Sequence, residues 1–307
     1  MAELRFDDRT AEFVDRALPP AAVTERGHRR WTDLLFGAPV GFRPLALDIV
    51  VPAPGAGPYP VVVFIHGGAW LFGHRATLNP ILAGLRLFER LPAAGYGFAS
   101  ISYRFSGEAT FPAQLHDAKA AVRWLRARAP TLDLDPDRVA AWGESAGGHL
   151  AALLGLTGDR PDLEGDVGVL GPSSSVQAVV DWYGPSDLLT MDEQAHPEAT
   201  FSHDRPDAPE ALLIGGPVQE AAEAARAASP VTYVHGGAPP FLLQHGVDDR
   251  IVPAGQSEEL AAALTAAGAD ARLQLLAGTD HVFADHPDPG AILAAAIAFL
   301  DETIGRP

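Results

Sequence analysis

Ser145 stands at the centre of Gly143-Glu144-Ser145-Ala146-Gly147, after the apolar run Val139-Ala140-Ala141-Trp142 and before His149-Leu150-Ala151-Ala152-Leu153-Leu154. A strand that turns sharply into a helix at a serine pushes the hydroxyl outward, onto a helix N-terminus. The flanking glycines are needed because a side chain at either position would collide with the neighbouring strand or helix. The pentapeptide by itself is also what an ordinary glycine turn looks like; the strand before it and the helix after it make Ser145 a candidate nucleophile. A serine hydroxyl is a poor nucleophile until a base takes its proton, and the base must be held in one tautomer by a carboxylate.

Both partners are expected after Ser145. The apolar run Phe241 to Gln244 leads into His245-Gly246-Val247-Asp248-Asp249-Arg250-Ile251-Val252-Pro253, and Arg272 to Leu276 leads into Ala277-Gly278-Thr279-Asp280-His281-Val282-Phe283. Adjacent Asp248 and Asp249 project differently, so one of them should reach the imidazole. His281 is the preferred base because its loop follows the last strand, a placement that His286, beside Pro287, lacks. Upstream, Val61 to Ile65 leads into His66-Gly67-Gly68-Ala69-Trp70. The amides of Gly67 and Gly68, with that of Ala146, are expected to form an oxyanion hole for the charge that develops on a tetrahedral intermediate. His66 is read as a hydrogen-bonding residue of its own loop, His149 as a packed residue, and Glu144 as a bond to a neighbouring loop. Tyr103 and Arg104 are read as ties between loops beneath the site, and Asp187 as a helix cap. Trp70, Phe72, Trp182, Tyr183, Val282 and Phe283 all follow strand ends and are the candidates for lining an apolar substrate pocket.

These loops need a scaffold that gathers them. Leu45 to Val51, Val61 to Ile65, Phe98 to Ser102, Val139 to Trp142, Ala178 to Trp182, Phe241 to Gln244 and Arg272 to Leu276 read as strands, several continuously apolar as buried parallel strands are. Helical patterns alternate with them at Leu78 to Leu91, Gln114 to Arg128, Ala146 to Leu156, Gly255 to Ala267 and Ala291 to Ile304. The alternation predicts an α/β fold, a mostly parallel sheet with helices on both faces, whose ligand site lies at the carboxyl ends of the strands. Residues 1–42 are expected to be an N-terminal arm, with a short helix at Ala11 to Leu18 stopped by Pro19-Pro20. Residues 43–307 form the main domain, and about 188–229, rich in Pro, Asp, Glu and Ala, reads as a lid-like insertion.

Composition narrows the chemistry. A chain of 307 residues with 47% hydrophobic content is ample for a large core. With no cysteine there is no disulfide, thiolate nucleophile or thiolate metal site. The net charge of −17 disfavours nucleic acid and anionic membranes as partners. No H-E-x-x-H or G-x-x-x-x-G-K-S/T pattern occurs and the 11 histidines lack ligand spacing, so no metal and no cofactor are expected. No apolar run approaches membrane-spanning length and the N-terminus has no apolar signal core, so a soluble, cytoplasmic protein is expected. The oligomeric state stays open, a homodimer being one option.

Taken together, His66-Gly67-Gly68-Ala69-Trp70, Tyr103-Arg104 with Phe111-Pro112-Ala113-Gln114, Asp135-Pro136-Asp137-Arg138-Val139 leading into Gly143 to Leu150, Asp181-Trp182-Tyr183-Gly184-Pro185-Ser186-Asp187-Leu188, Ser229 to Val234 and the His245-to-Pro253 loop carry a family resemblance. From about Leu45 onward the chain resembles bacterial carboxylesterases of the α/β-hydrolase superfamily, near the hormone-sensitive-lipase-like and feruloyl-esterase-like branches. Its order Ser, Asp, His is the one expected of that fold. In similar enzymes the acid falls in H-G-x-x-D-x-x-V-P, which selects Asp249. The resemblance implies a serine carboxylesterase that cleaves small to medium carboxylic esters through an acyl-enzyme, with Ser145 as nucleophile, His281 as base and Asp249 as orienting acid. Ala69 replaces the third glycine of the commoner H-G-G-G form, which places the chain toward H-G-G-x-W variants that include kynurenine formamidase-like amidohydrolases. An amidase or formamidase with the same triad is thus an alternative, and a non-hydrolytic binding protein on the same fold is a third reading.

Overall fold

Nine strands build one sheet in the order β1-β2-β3-β5-β4-β6-β7-β8-β9. They are β1 (Ala22–Val23), β2 (Arg29–Gly37), β3 (Leu45–Val51), β4 (Tyr59–Ile65), β5 (Gly97–Ile101), β6 (Leu134–Glu144), β7 (Ala178–Trp182), β8 (Phe241–Gly246) and β9 (Ala271–Leu276). The computed structural model describes residues 17–158, 160–199 and 201–305. Strands β4 to β9 run parallel, while β1, β2 and β3 join antiparallel at one edge. This is the α/β-hydrolase fold.

The period of two along a strand divides the core between the two faces. In β4, Val61, Val63 and Ile65 enter one buried cluster, shared with the helices Ala113–Leu132, Ala146–Leu156 and Ala254–Ala266. Val62 and Phe64 enter the other, covered by Pro80–Leu85, Leu87–Ala93 and Pro289–Thr303. With every residue of β4 buried, the strand has to be continuously apolar.

The structure adds detail at three places. Arg29–Gly37 is a sheet strand within the segment read as an arm; its register with β3 shifts between Trp31 and Leu34 and again between Leu35 and Gly37. Those irregularities break the alternation that would have revealed a strand in the sequence. The single helix expected at Leu78 to Leu91 is two, divided at Arg86, whose φ of 55° is left-handed. Leu82, Leu85, Leu87 and Leu91 are all buried. One straight helix would aim Leu87 about 200° away from Leu85, since each residue turns about 100°, so the break is what lets both reach the core. Finally, the helix expected at Ala11 to Leu18 lies almost entirely outside the described residues.

The lid-like segment at 188–229 contains two short helices, Pro209–Ile214 and Ala222–Ala228. It is fastened at several points: the Phe111 amide donates to the Leu213 carbonyl at 2.8 Å, and the Gln256 side-chain amide donates to Gln194 at 2.8 Å. Glu198 also pairs with Arg250 at 3.4 Å. Among the described residues no helix is long and apolar enough to cross a membrane.

Candidate active site

The elbow after β6 explains its own glycines. Ser145 sits at φ 54°, ψ −121°, a backbone conformation that persists only where its surroundings fix it. A Cβ on Gly143 would lie 1.9 Å from the Gly147 carbonyl oxygen, and one on Gly147 would lie 2.0 Å from that of Ile65. Neither position has room for any side chain. The Ser145 amide donates to the Trp182 carbonyl at 2.8 Å, tying the elbow to the end of β7.

Two further loops converge on the hydroxyl. His281 Nε2 is 3.1 Å from Ser145 Oγ, and its Nδ1 is 2.7 Å from Asp249 Oδ2. Since an ionised carboxylate only accepts, Nδ1 carries a proton, and in the neutral ring the Nε2 lone pair then faces the serine. The other Asp249 oxygen, Oδ1, accepts the amides of Ile251 and Val252, each at 2.8 Å. A second imidazole, that of His245, brings its Nε2 to 3.3 Å from Asp249 Oδ2 while also donating to the Val252 carbonyl. Burial alone would raise the Asp249 carboxyl, but the hydrogen bonds from His245 and His281 outweigh it and hold the group well below the usual carboxylate range. Asp249 is therefore a fixed anion behind the ring. Asp248 only lends its amide to the Thr279 carbonyl, and His286 stays in its own turn, accepting the Asp288 amide.

The glycine loop differs from its sequence reading in one respect. The Gly67 amide donates to Glu144 Oε1 at 3.1 Å, so it is not free to receive an oxyanion. The sequence pointed Glu144 toward a neighbouring loop but not toward this amide, 77 positions away. Among the described residues no acceptor is found for the amides of Gly68, Ala69 or Ala146. Gly68 and Ala69 adopt φ 110° and 55°, and a Cβ on Gly68 would lie 2.1 Å from the Phe72 carbonyl oxygen. Ala69 was not among the expected donors. His66 donates from Nδ1 to the Gly67 carbonyl at 2.7 Å, and burial lowers its pKa to about 4, which keeps it neutral. The Tyr103 hydroxyl donates to the His66 carbonyl at 3.1 Å, and Arg104 grips the buried Asp117 at 2.7 Å.

A cavity of about 460 Å³ opens at Ser145 and His281. Of the six residues expected to line a substrate pocket, Phe72 and Val282 lie in its walls and Trp70, Trp182, Tyr183 and Phe283 do not. These four are buried: Trp182 packs edge-on against Trp142 at 4.8 Å and against Phe283 at 5.1 Å, within the second core cluster. Trp70 donates its indole N–H to His149 Nδ1 at 3.2 Å, and Tyr183 stands edge-on to the His281 ring at 4.8 Å. Their places in the walls fall to Thr77, Leu78, Asn79 and Ile251. Two of these left traces in the sequence: Asn79-Pro80 is a helix start, and Ile251 is an apolar residue directly after the charged run Asp248-Asp249-Arg250. The described residues of the 188–229 segment line none of the cavity; Glu198 of that segment pairs with Arg250, the neighbour of Ile251. Asp187 accepts the Leu189 amide at 2.9 Å, but turns and not a helix follow it, so it closes a turn and is not the helix cap expected from the sequence. Among the described residues no three His, Asp or Glu side chains are grouped to hold a metal.

An α/β-hydrolase sheet whose strand-end loops join a serine, a histidine and an aspartate through hydrogen bonds has the architecture of the serine-hydrolase class. Comparison with known proteins agrees. The BD-FAE family model matches residues 47–264. Esterase LipQ of Mycobacterium tuberculosis is 34% identical over 252 residues, covering 79% of this chain and 55% of that protein; Esterase LipC of the same organism is 36% identical over 210 residues, 68% and 49%. A truncated carbohydrate esterase from gut microbiota superposes with a TM-score of 0.77 at 30% identity, over 91% of this chain and 98% of that one. Propionate-bound esterase 2 of Thermogutta terrifontis gives 0.68 at 26%, over 94% and 96%. The chain belongs to the BD-FAE family, on the esterase branch of the α/β-hydrolase superfamily. It spans about half the length of the curated relatives it matches.

Proposed function

We propose that the protein is a serine carboxylesterase acting on small to medium carboxylic esters. The observation that carries this reading is the continuous hydrogen-bonded line from Asp249 through His281 to Ser145 Oγ, ending in a cavity with apolar walls. In the first half-reaction the Ser145 hydroxyl attacks the ester carbonyl carbon while His281 Nε2 takes its proton. Asp249 stabilises the imidazolium that results and keeps Nδ1–H pointed away from the serine. The carbonyl oxygen becomes an oxyanion facing Gly68 and Ala146, with Ala69 as a further donor in place of Gly67. Collapse expels the alcohol, which receives the proton from Nε2 and leaves Ser145 acylated. Water, activated by the same nitrogen, then releases the acid and restores the serine.

The cavity limits the substrate. About 460 Å³ suits a ligand of modest size, and Phe72, Leu78, Ile251 and Val282 give it an apolar surface. The esterase names of the relatives and the propionate bound to the Thermogutta enzyme support an ester with a short acyl group. The direct test is hydrolysis of p-nitrophenyl acetate and butyrate by the protein and by Ser145→Ala. Turnover by the first and a loss of at least about 10³-fold in the second are expected; near-normal turnover by the variant overturns the proposal.

A further inference from the structure

Among the described residues that line the cavity Glu144 is the one carboxylate, and the reaction outlined above does not use it. It ends β6 immediately before the nucleophile, yet its side chain reaches across to the opposite loop. Oε1 accepts the Gly67 amide at 3.1 Å, and Oε2 accepts the Tyr183 hydroxyl at 3.3 Å and the Asn79 side-chain amide at 3.4 Å. Three donors and no acceptor face this group, the arrangement that suits a carboxylate and not a carboxylic acid. Burial dominates and raises its pKa above the usual carboxylate value, while the Gly67 amide, the nearby His281 imidazole, Tyr183 and Asn79 pull the other way. The fit is close: a Cβ on Gly67 would lie 2.9 Å from the Glu144 carboxyl carbon and 2.9 Å from its backbone oxygen. Gly67 has no positive φ, so close packing on Glu144 is what requires glycine there.

The loop that Glu144 grips has reason to need a grip. Three successive residues, Gly68, Ala69 and Trp70, have φ of 110°, 55° and 57°, conformations that alanine and tryptophan adopt at a cost. The loop's other ties are the His66 carbonyl to Tyr103, the Trp70 carbonyl to the Ser106 amide, and the Trp70 indole to His149, one turn along the helix that Ser145 caps. Among the described residues the Gly67 bond is the tie that reaches Glu144 itself, and it does so at the amide next to Gly68 and Ala69.

The geometry points to Glu144 as a positioning residue: by holding the Gly67 amide it sets the following amides, Gly68 and Ala69, at a fixed place relative to Ser145, where the oxyanion forms. Gly67 thus serves the oxyanion hole as its anchor and not as a donor. The inference rests on the serine-esterase reading above. Its signature is a transition-state effect, because the oxyanion exists only after attack, whereas substrate binding leaves the carbonyl oxygen neutral.

The test compares Glu144→Ala and Glu144→Gln with the unaltered enzyme, measuring kcat and KM on p-nitrophenyl acetate and Ki for an aryl trifluoromethyl ketone, which becomes an oxyanion on addition of Ser145. Loss of a well-placed donor costs about 10² to 10³ in turnover, so E144A should lose about 10² in kcat with KM steady, and Ki should rise in proportion. E144Q keeps an oxygen for Gly67 but sets an NH2 against Asn79, and should fall between, about tenfold below the unaltered enzyme. Unchanged kcat and Ki in the variants, or a loss confined to KM, overturns the inference. If E144A does not fold, E144Q decides alone, an unchanged Ki counting against it. Ser145→Ala run in parallel separates the two claims: turnover by that variant refutes the esterase reading itself, whereas an inactive S145A beside unaltered Glu144 variants refutes only the role of Glu144.

Discussion

Replacing Asp249 by Asn removes one charge and almost no volume, and the structure dictates where the new amide must point. Oδ1 accepts two backbone amides at 2.8 Å, from Ile251 and Val252. If the asparagine oxygen stayed elsewhere, both would be left unsatisfied in a buried place, at about 1 to 3 kcal/mol each. The oxygen therefore takes that side, and the NH2 faces His281. Because Nδ1 must then accept, the ring shifts its proton to Nε2, where it points at Ser145 Oγ and cannot receive the serine proton. A wrong tautomer of this kind costs about 10⁴ in kcat, as measured in another serine hydrolase, which is about 5.5 kcal/mol of barrier. The fold should lose less, about 1 to 3 kcal/mol, from the weakened bonds to His281 and His245. Stopped and continuous assays on p-nitrophenyl acetate, with urea unfolding of the same variant, measure both numbers. A loss in kcat below about tenfold, with the variant folded, would show that Asp249 does not set the tautomer of His281.

Two further expectations come from buried groups. Burial lowers the His66 and His149 imidazoles to about 4, against about 6.5 in an unfolded chain. Between those values the unfolded chain binds more protons, so stability should be full above pH 6.5 and fall as the pH drops toward 4, by up to about 3 kcal/mol for each histidine. Asp249 acts lower: its depressed value means that its contribution is present above about 3.9 and is lost as the pH falls further. Urea titrations from pH 7.5 to 4.5 test this, and a flat profile counts against buried neutral histidines. On the pocket walls, Phe72→Ala should change KM for butyrate over acetate esters several-fold and leave stability within about 0.5 kcal/mol, since Phe72 is 64% exposed. Trp182→Ala should instead cost about 3 to 5 kcal/mol in unfolding experiments, as a core residue does. The opposite ranking would return Trp182 to the substrate pocket.

What could be seen in the sequence follows from how local each signal is. The elbow is legible because the two glycines and Ser145 fall within five residues, although Gly147 is required by the Ile65 carbonyl on β4. The loops of Asp249 and His281 are legible because each follows an apolar strand, and the sheet brings strand ends together whatever their separation along the chain. That Glu144 bonds a neighbouring loop is legible; that the amide it takes is that of Gly67 is not, since it depends on where the side chain lies across 77 positions. Nor are the cavity walls. An aromatic residue after a strand faces either the site or the opposite core, and Trp182 and Phe283 differ from Phe72 only in which face the backbone presents. Strand β2 escaped for a third reason, because irregular pairing with β3 erased its alternation.

The central claim is that Ser145 becomes covalently acylated. Intact-protein and peptide mass spectrometry after brief mixing with p-nitrophenyl butyrate and acid quench, and after a fluorophosphonate, measures it directly. One adduct per chain on the peptide bearing Ser145, absent from Ser145→Ala, is the predicted result. An adduct on another residue, or steady ester turnover with Ser145 replaced, would contradict the account.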